Sequence, residues 1–267
     1  MDTPFTLSPN PLSMYLTPLI KRALMKCRLG IDHRQGLTCI LGDPGLGKST
    51  LLRYLFAEYG AKDGIKATLI PTPDFNSEYA MLKSICQDFG LPPKRSIVAQ
   101  NEEFQSFLVE CGSHGQNVIV FVDEAQKLTN RMLEQVRTML NFETNTGKLV
   151  QVVLAGQLEL KERLVREENA GIKSRIYASS LIEPLLFEEM TGMIEFRCKL
   201  AEIKNPFTKD ALQEIFDVTQ GIPREVLKVC DLSYSMAEMM QEKTVSVELV
   251  QSAYAEGTDA LRKTTTA

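Results

Sequence analysis

The chain lacks most of what would build a metal centre or a membrane anchor. It has two histidines, His33 and His114, far apart and unpaired. Its six cysteines (Cys27, Cys39, Cys86, Cys111, Cys198, Cys230) are scattered, with no C-x-x-C pair. That spacing offers no zinc ligand set, and the thiols read as small apolar residues in a reducing compartment. No segment approaches ~18 uninterrupted apolar residues, so no membrane insertion is expected. Residues 1–11 have no basic start followed by an apolar stretch, so a secretory leader is not expected and a cytoplasmic location is. Excess positive charge is lacking as well. The net charge of −4 argues against coating nucleic acid by bulk electrostatics. A local basic stretch remains, Lys21, Arg22, Lys26, Arg28 and Arg34 against Asp2 and Asp32. It reads first as a solvated helix face and second as a DNA contact.

What is present is ordinary globular composition, 44% hydrophobic and 24% charged over 267 residues, enough for one large domain or two modest ones. One segment stands out from it. Gly42, Asp43, Pro44, Gly45, Leu46, Gly47, Lys48, Ser49 and Thr50 fit G-x-x-x-x-G-K-[ST], behind an apolar run and ahead of a helix-like one. The glycines let consecutive backbone N–H groups converge on an anion, and the following helix adds the positive end of its dipole. Lys48 would reach the β- and γ-phosphates of ATP, and the Ser49 hydroxyl would join the shell of Mg²⁺.

Short Val/Ile/Leu runs alternate with helical periodicity through the first two thirds. Strands are expected at 37–41, 67–70, 117–122 and 149–155, and helices at 18–29, 48–57, 76–89, 101–111, 132–142 and 158–165. This pattern predicts a parallel sheet buried on both faces. From about residue 184 only amphipathic helices follow. The expected organisation is a lead-in packing on the core (1–36), an α/β core (37–183), a helical lid (184–256) and a polar, fraying tail (257–267). The most apolar run, 117–122, ends in Asp123-Glu124. Hydrolysis needs an acid for the metal and a group that polarises water, and ligands of open parallel sheets collect at the carboxyl ends of strands. Asp123 is expected to hold Mg²⁺ and Glu124 to polarise the attacking water.

With these motifs in order, the chain resembles an AAA+ ATPase of the ExeA/GspA-like group, which includes stand-alone ATPases associated with transposases. The likeness runs from about Pro4 to Ala255. It covers the lead-in (4–11 and 14–16), the Walker A loop, and the Walker B residues Asp123-Glu124-Ala125. It continues through Leu140–Thr144, Val152–Leu160, Lys173–Ile176 and Gly221-Ile222-Pro223-Arg224. The resemblance implies an α/β P-loop NTPase with helices on both faces of the sheet, followed by a small all-α lid. It implies Mg²⁺-dependent hydrolysis of ATP to ADP and phosphate at subunit interfaces, in a homo-oligomeric ring or helical filament. Gln157 would be the sensor-1 residue and Arg224 the sensor-2 arginine. Arg175 would be an arginine finger, with Arg163 and Arg166 close by and a surface ion pair as its other use. Tyr15 and Leu16 would lie near the adenine, a position that core packing explains equally. Ser49 stands where the family commonly has Thr, and Leu158 where it has Pro. Secretion-type members carry a membrane segment and a peptidoglycan-binding region after the ATPase, whereas this sequence ends at the lid. The first expectation is therefore a transposition regulator that assembles on double-stranded DNA and recruits a transposase. The alternatives are an ATPase working with a membrane-associated secretion partner, and a nucleotide-gated scaffold of a defence system.

Overall fold

The computed structural model describes residues 3–8, 10–145 and 147–262. They form two compact units. One comprises residues 18–44, 48–145 and 147–182, and the other residues 3–8, 10–17, 45–47 and 183–262.

The first unit is built on a parallel sheet. Strands β1 (Leu37–Gly42), β2 (Ile65–Ile70), β3 (Asn117–Val122), β6 (Val150–Gly156) and β7 (Ile176–Ile182) lie in the order β2-β3-β6-β1-β7. A two-residue hairpin, β4 (Glu143–Thr144) with β5 (Gly147–Lys148), stands apart. Every residue of β1, β3 and β6 is buried, as expected for strands covered on both faces. The covering helices are α1 (Pro18–Asp32), α2 (Lys48–Gly60), α3 (Glu78–Asp88), α4 (Ile97–Ser113), α5 (Asn130–Met139), α6 (Leu158–Val165) and the single turn α7 (Ala170–Lys173). Ser77, Ser96 and Thr129 cap α3, α4 and α5 by accepting N–H bonds at 3.1–3.3 Å, which satisfies donors that helix geometry leaves open.

Strand β7 was not expected from the sequence. Its residues 176–182 alternate, with Tyr177, Ser179 and Leu181 exposed, because it is an edge strand covered mainly by α1. An edge strand carries only half the apolar signal of a central one.

The second unit packs α8 (Phe187–Leu200), α9 (Lys209–Thr219), α10 (Pro223–Met239) and α11 (Val247–Arg262) around one core. Of the expected lead-in, residues 3–8 and 10–17 cluster with these helices, and residues 18–36 belong to the first unit. Phe5, fully buried, stands edge-on to Phe207 and Tyr234 at 5.5 and 5.9 Å. The tail expected from residue 257 begins as helix instead. α11 runs to Arg262, anchored by buried Leu249, Val250 and Ala253 and by Lys228 Nζ donating to the Gly257 carbonyl at 3.0 Å. Residues 263–267 of that tail lie outside the described residues.

Gly221 links two segments of this unit. Its φ is +69° and its carbonyl accepts from Leu185 N at 2.8 Å. A Cβ there would stand 2.1 Å from the Leu185 carbonyl oxygen, so no other residue fits without moving the backbone.

Among the described residues no helix is long and apolar enough to cross a membrane. All six cysteines are free and buried. Burial pushes the thiols of Cys27 and Cys39 up to about 12, and those of Cys86 and Cys198 up to about 11, so they act as core atoms rather than nucleophiles.

Phe5→Ala should lower stability by about 3–5 kcal/mol, the usual cost of emptying a fully buried aromatic site. Urea denaturation followed by circular dichroism measures it, and a change under 1 kcal/mol would show that the lead-in only decorates the helical unit.

Candidate nucleotide site

The strand order explains how distant residues meet. β6 pairs with β1 on one side and with β3 on the other. Neighbouring strands lie about 4.8 Å apart, so the carboxyl end of β3 is only ~10 Å from that of β1. The loop Gly42–Gly47 leaves β1 there, and α2 opens at Lys48. Gly47 has a φ of +89°, with nothing within 4 Å of where its Cβ would be. A side chain there would strain the backbone, and the unpaired N–H groups that open any helix, here α2, suit an anion.

Lys48 is buried and its Nζ donates to the Asp43 carbonyl at 2.8 Å. Asp43 and Pro44 face solvent, Leu46 is buried, and Ser49 and Thr50 are half-buried. Asp123 is only 6% exposed. Its carboxylate shares a hydrogen bond with the Ser49 side chain and accepts from Glu124 N at 2.9 Å. Burial raises its pKa. The bonds from Ser49 and Glu124 N and the nearby Lys48 charge oppose the rise, while the Glu124 charge adds to it. Glu124 is held in the left-handed region, with a φ of +49°. Gln157 follows β6 at the mouth of α6, and its N–H donates to Gln126 Oε1 at 3.1 Å. The sheet thus gathers Lys48, Ser49, Asp123, Glu124 and Gln157 at one end.

The remaining candidates lie elsewhere. Arg175 precedes β7, whose first residue pairs with Leu37 at the start of β1. It therefore sits at the amino end of the sheet, on the order of 20 Å from the carboxyl ends, with Nη2 donating to Asn141 Oδ1 at 2.9 Å. Arg163 is spent within the unit, on the Gln126 carbonyl and Asn130 Oδ1, both at 2.9 Å. Arg166 is exposed, 4.0 Å from Glu168. Within the helical unit, Arg224 opens α10 and its N–H donates to the Gly45 carbonyl at 3.2 Å. Tyr15 packs against Phe196 and over Gly192, and Leu16 is half-buried. Of the basic stretch near α1, Lys26 donates to the Ser179 carbonyl, Arg28 pairs with Glu58, and Arg34 donates to the Gly115 and Gln116 carbonyls. Lys21 and Arg22 face solvent.

Residues 31–164, half of the chain, match the family described as AAA domain. The chain belongs to the AAA domain family. It is 32% identical over 233 residues to general secretion pathway protein A of Aeromonas hydrophila, an alignment that takes in 86% of this chain and 42% of that protein. This likeness supports an ExeA/GspA-like AAA+ ATPase. The chain spans less than half the length of that relative. Among solved structures it is similar to the Aeropyrum pernix ORC2 protein in its ADPNP-ADP complexes, with a TM-score of 0.71 and 16% identity, covering 96% of this chain and 72% of that one. It is also similar to the ORC1 protein of the same organism in complex with DNA, with a TM-score of 0.64 and 16% identity, covering 91% and 65%. At these identities the structural likeness establishes the fold, a P-loop AAA+ sheet with helices.

The sequence reading missed Gln126, which bonds both Glu124 and the Gln157 backbone. Its adjacency to Asp123-Glu124-Ala125 was the available signal.

Asp123→Asn should stabilise the protein at neutral pH. A carboxyl whose folded pKa is raised costs the native state while charged, at pH above that folded value. The advantage of Asn should therefore shrink as pH falls through the raised folded pKa, and vanish below the unfolded value near ~3.9. Urea midpoints across pH test this, and an unchanged midpoint at neutral pH would contradict a desolvated charge.

Proposed function

We propose that this protein hydrolyses ATP to ADP and phosphate and uses ATP-dependent self-association as a switch. The observation that carries this reading is the convergence of Lys48, Ser49, Asp123 and Glu124 at the carboxyl ends of parallel strands. ATP would draw Lys48 from the Asp43 carbonyl onto its phosphates, and the N–H groups at the start of α2 would surround them. Ser49 and Asp123 offer hard oxygen ligands suited to Mg²⁺. Among the described residues no group of three His, Cys, Asp or Glu forms a protein-only metal cage, which fits an ion held largely by phosphates and water. Bound there, Mg²⁺ would offset phosphate charge. Glu124 would polarise the attacking water, with Gln157 beside it. From the family resemblance, Arg224 is taken as the sensor-2 arginine and Tyr15 and Leu16 as adenine contacts.

Arg175 sits at the wrong end of the sheet to serve its own protomer's Lys48, which supports action in trans on a neighbouring copy. An arginine there would stabilise charge on the transferring phosphoryl group. Loss of the γ-phosphate would then weaken the contact between copies. Ring and helical filament both satisfy this head-to-tail arrangement.

Two partner classes fit such a switch. The first is double-stranded DNA, with recruitment of a transposase, which follows the transposition-associated members of the group; the similarly folded ORC1 protein was solved in complex with DNA. The second is a secretion partner at the membrane. The identity to general secretion pathway protein A favours it, and so does the internal use of Lys26, Arg28 and Arg34. The six free thiols suit the reducing cytoplasm.

Mixing Lys48→Ala with Arg175→Ala subunits should recover part of the hydrolysis that each lacks alone, since mixed interfaces join an intact loop to an intact arginine. No recovery would count against a shared site. For the partner, Glu124→Gln protein with ATP or ADP should be titrated onto a fluorescent duplex at two salt concentrations. Tight, salt-sensitive binding with ATP alone supports the DNA reading, and no binding with either nucleotide supports a protein partner.

A further inference from the structure

One polar side chain beside the acidic strand end has no part in the switch described above. Gln126 lies two residues past Glu124, in the short turn Ala125–Lys127. Its Nε2 donates to Glu124 Oε2 at 2.6 Å, and its Oε1 accepts from Gln157 N at 3.1 Å. An ionised carboxylate only accepts and a backbone N–H only donates, so a single orientation of the amide satisfies both neighbours. The same residue is fixed through its backbone, because its carbonyl accepts from Arg163 Nη1 on α6 at 2.9 Å, and Arg163 Nη2 bonds Asn130 Oδ1 at 2.9 Å. Gln126 is thus clamped to α6 by both main chain and side chain, and its remaining donor points at the acid.

Glu124 needs such a partner. Its backbone is fixed in the left-handed region, but the carboxylate has side-chain torsions to spare. A small misplacement of a group that activates water is costly in rate. We infer that Gln126 is a positioning residue, which orients the Glu124 carboxylate and couples it to the amino end of α6, where Gln157 sits. This rests on Glu124 being the group that polarises water.

The test compares four variants of the full chain: Glu124→Gln, Gln126→Met, Gln126→Glu, and Glu124→Gln combined with Gln126→Met. ATP turnover, binding of a fluorescent ATP analogue and thermal melting are read for each. Gln126→Met should lower kcat by about tenfold or more, while KM, analogue affinity and melting temperature stay near the parent values. Gln126→Glu is close to isosteric and keeps an oxygen toward Gln157 N–H, but it loses the donor toward Glu124. It should show the same loss. The double variant should be no slower than Glu124→Gln alone, because Gln126 acts through that carboxylate. Parental kcat in Gln126→Glu would overturn the inference, leaving Gln126 a cap for α6 and nothing more. A further multiplicative loss in the double variant would overturn it too. Parental turnover in Glu124→Gln is a different failure, since it removes the acid itself and the inference with it.

Discussion

Most of the candidate site depends on one buried charge and what faces it. Asp123 is taken almost wholly out of water at the end of a fully buried strand, where an isolated carboxylate is costly. Ser49, the Glu124 N–H and the nearby Lys48 offset part of that cost, yet the pKa stays raised. Burial therefore disfavours the charged form of Asp123 even though its oxygens have partners. A divalent cation brought in with phosphates would supply the missing charge. A desolvated acid with a charged partner nearby is a common arrangement at functional sites.

That contact exists because of the strand order rather than any local feature. With β6 between β1 and β3, the loop after β1 and the acid after β3 are two strand spacings apart, and Ser49 in the first turn of α2 closes the gap. The middle strand delivers Gln157 to the same rim. Gln126 then bonds across the rim from the acid to the start of α6. The buried runs of β1, β3 and β6 make this geometry rigid, since shifting any register by one residue would turn its apolar set outward.

The sequence made these parts legible to different degrees. The nucleotide loop and the Asp-Glu pair carried their own chemistry, and the central strands were continuous apolar runs, so the fold class could be read directly. β7 could not, because an edge strand alternates and its Tyr177, Ser179 and Leu181 look like loop. The hairpin Glu143–Lys148 is too short to leave a pattern. Phe5 gave no hint of its partners, because burial between Phe207 and Tyr234 is a long-range fact with no local period. Gln126 was hidden differently. Its meaning lies in two bonds, one to a residue two positions away and one to a residue thirty-one positions away, and only the fold shows that both are within reach.

The basic residues teach the converse. Five positive charges within fourteen positions (21–34) suggest an electrostatic surface, but three of them close structural gaps: a carbonyl on the edge strand, a carboxylate on α2, and the turn before β3. Arg163, a neighbour of the proposed finger, is likewise committed to the acidic turn and to Asn130. Arg175 donates to the Asn141 side-chain amide on an exposed surface, and its charge also acts on Glu143. A parallel sheet has two unlike ends, and this chain puts its phosphate loop and acid at one and this arginine at the other. Within a single copy they are separated by a strand length. Head-to-tail stacking of copies would bring the arginine of one to the loop of the next, so the distance that makes Arg175 useless to its own nucleotide is what would make the assembly sensitive to its neighbour's.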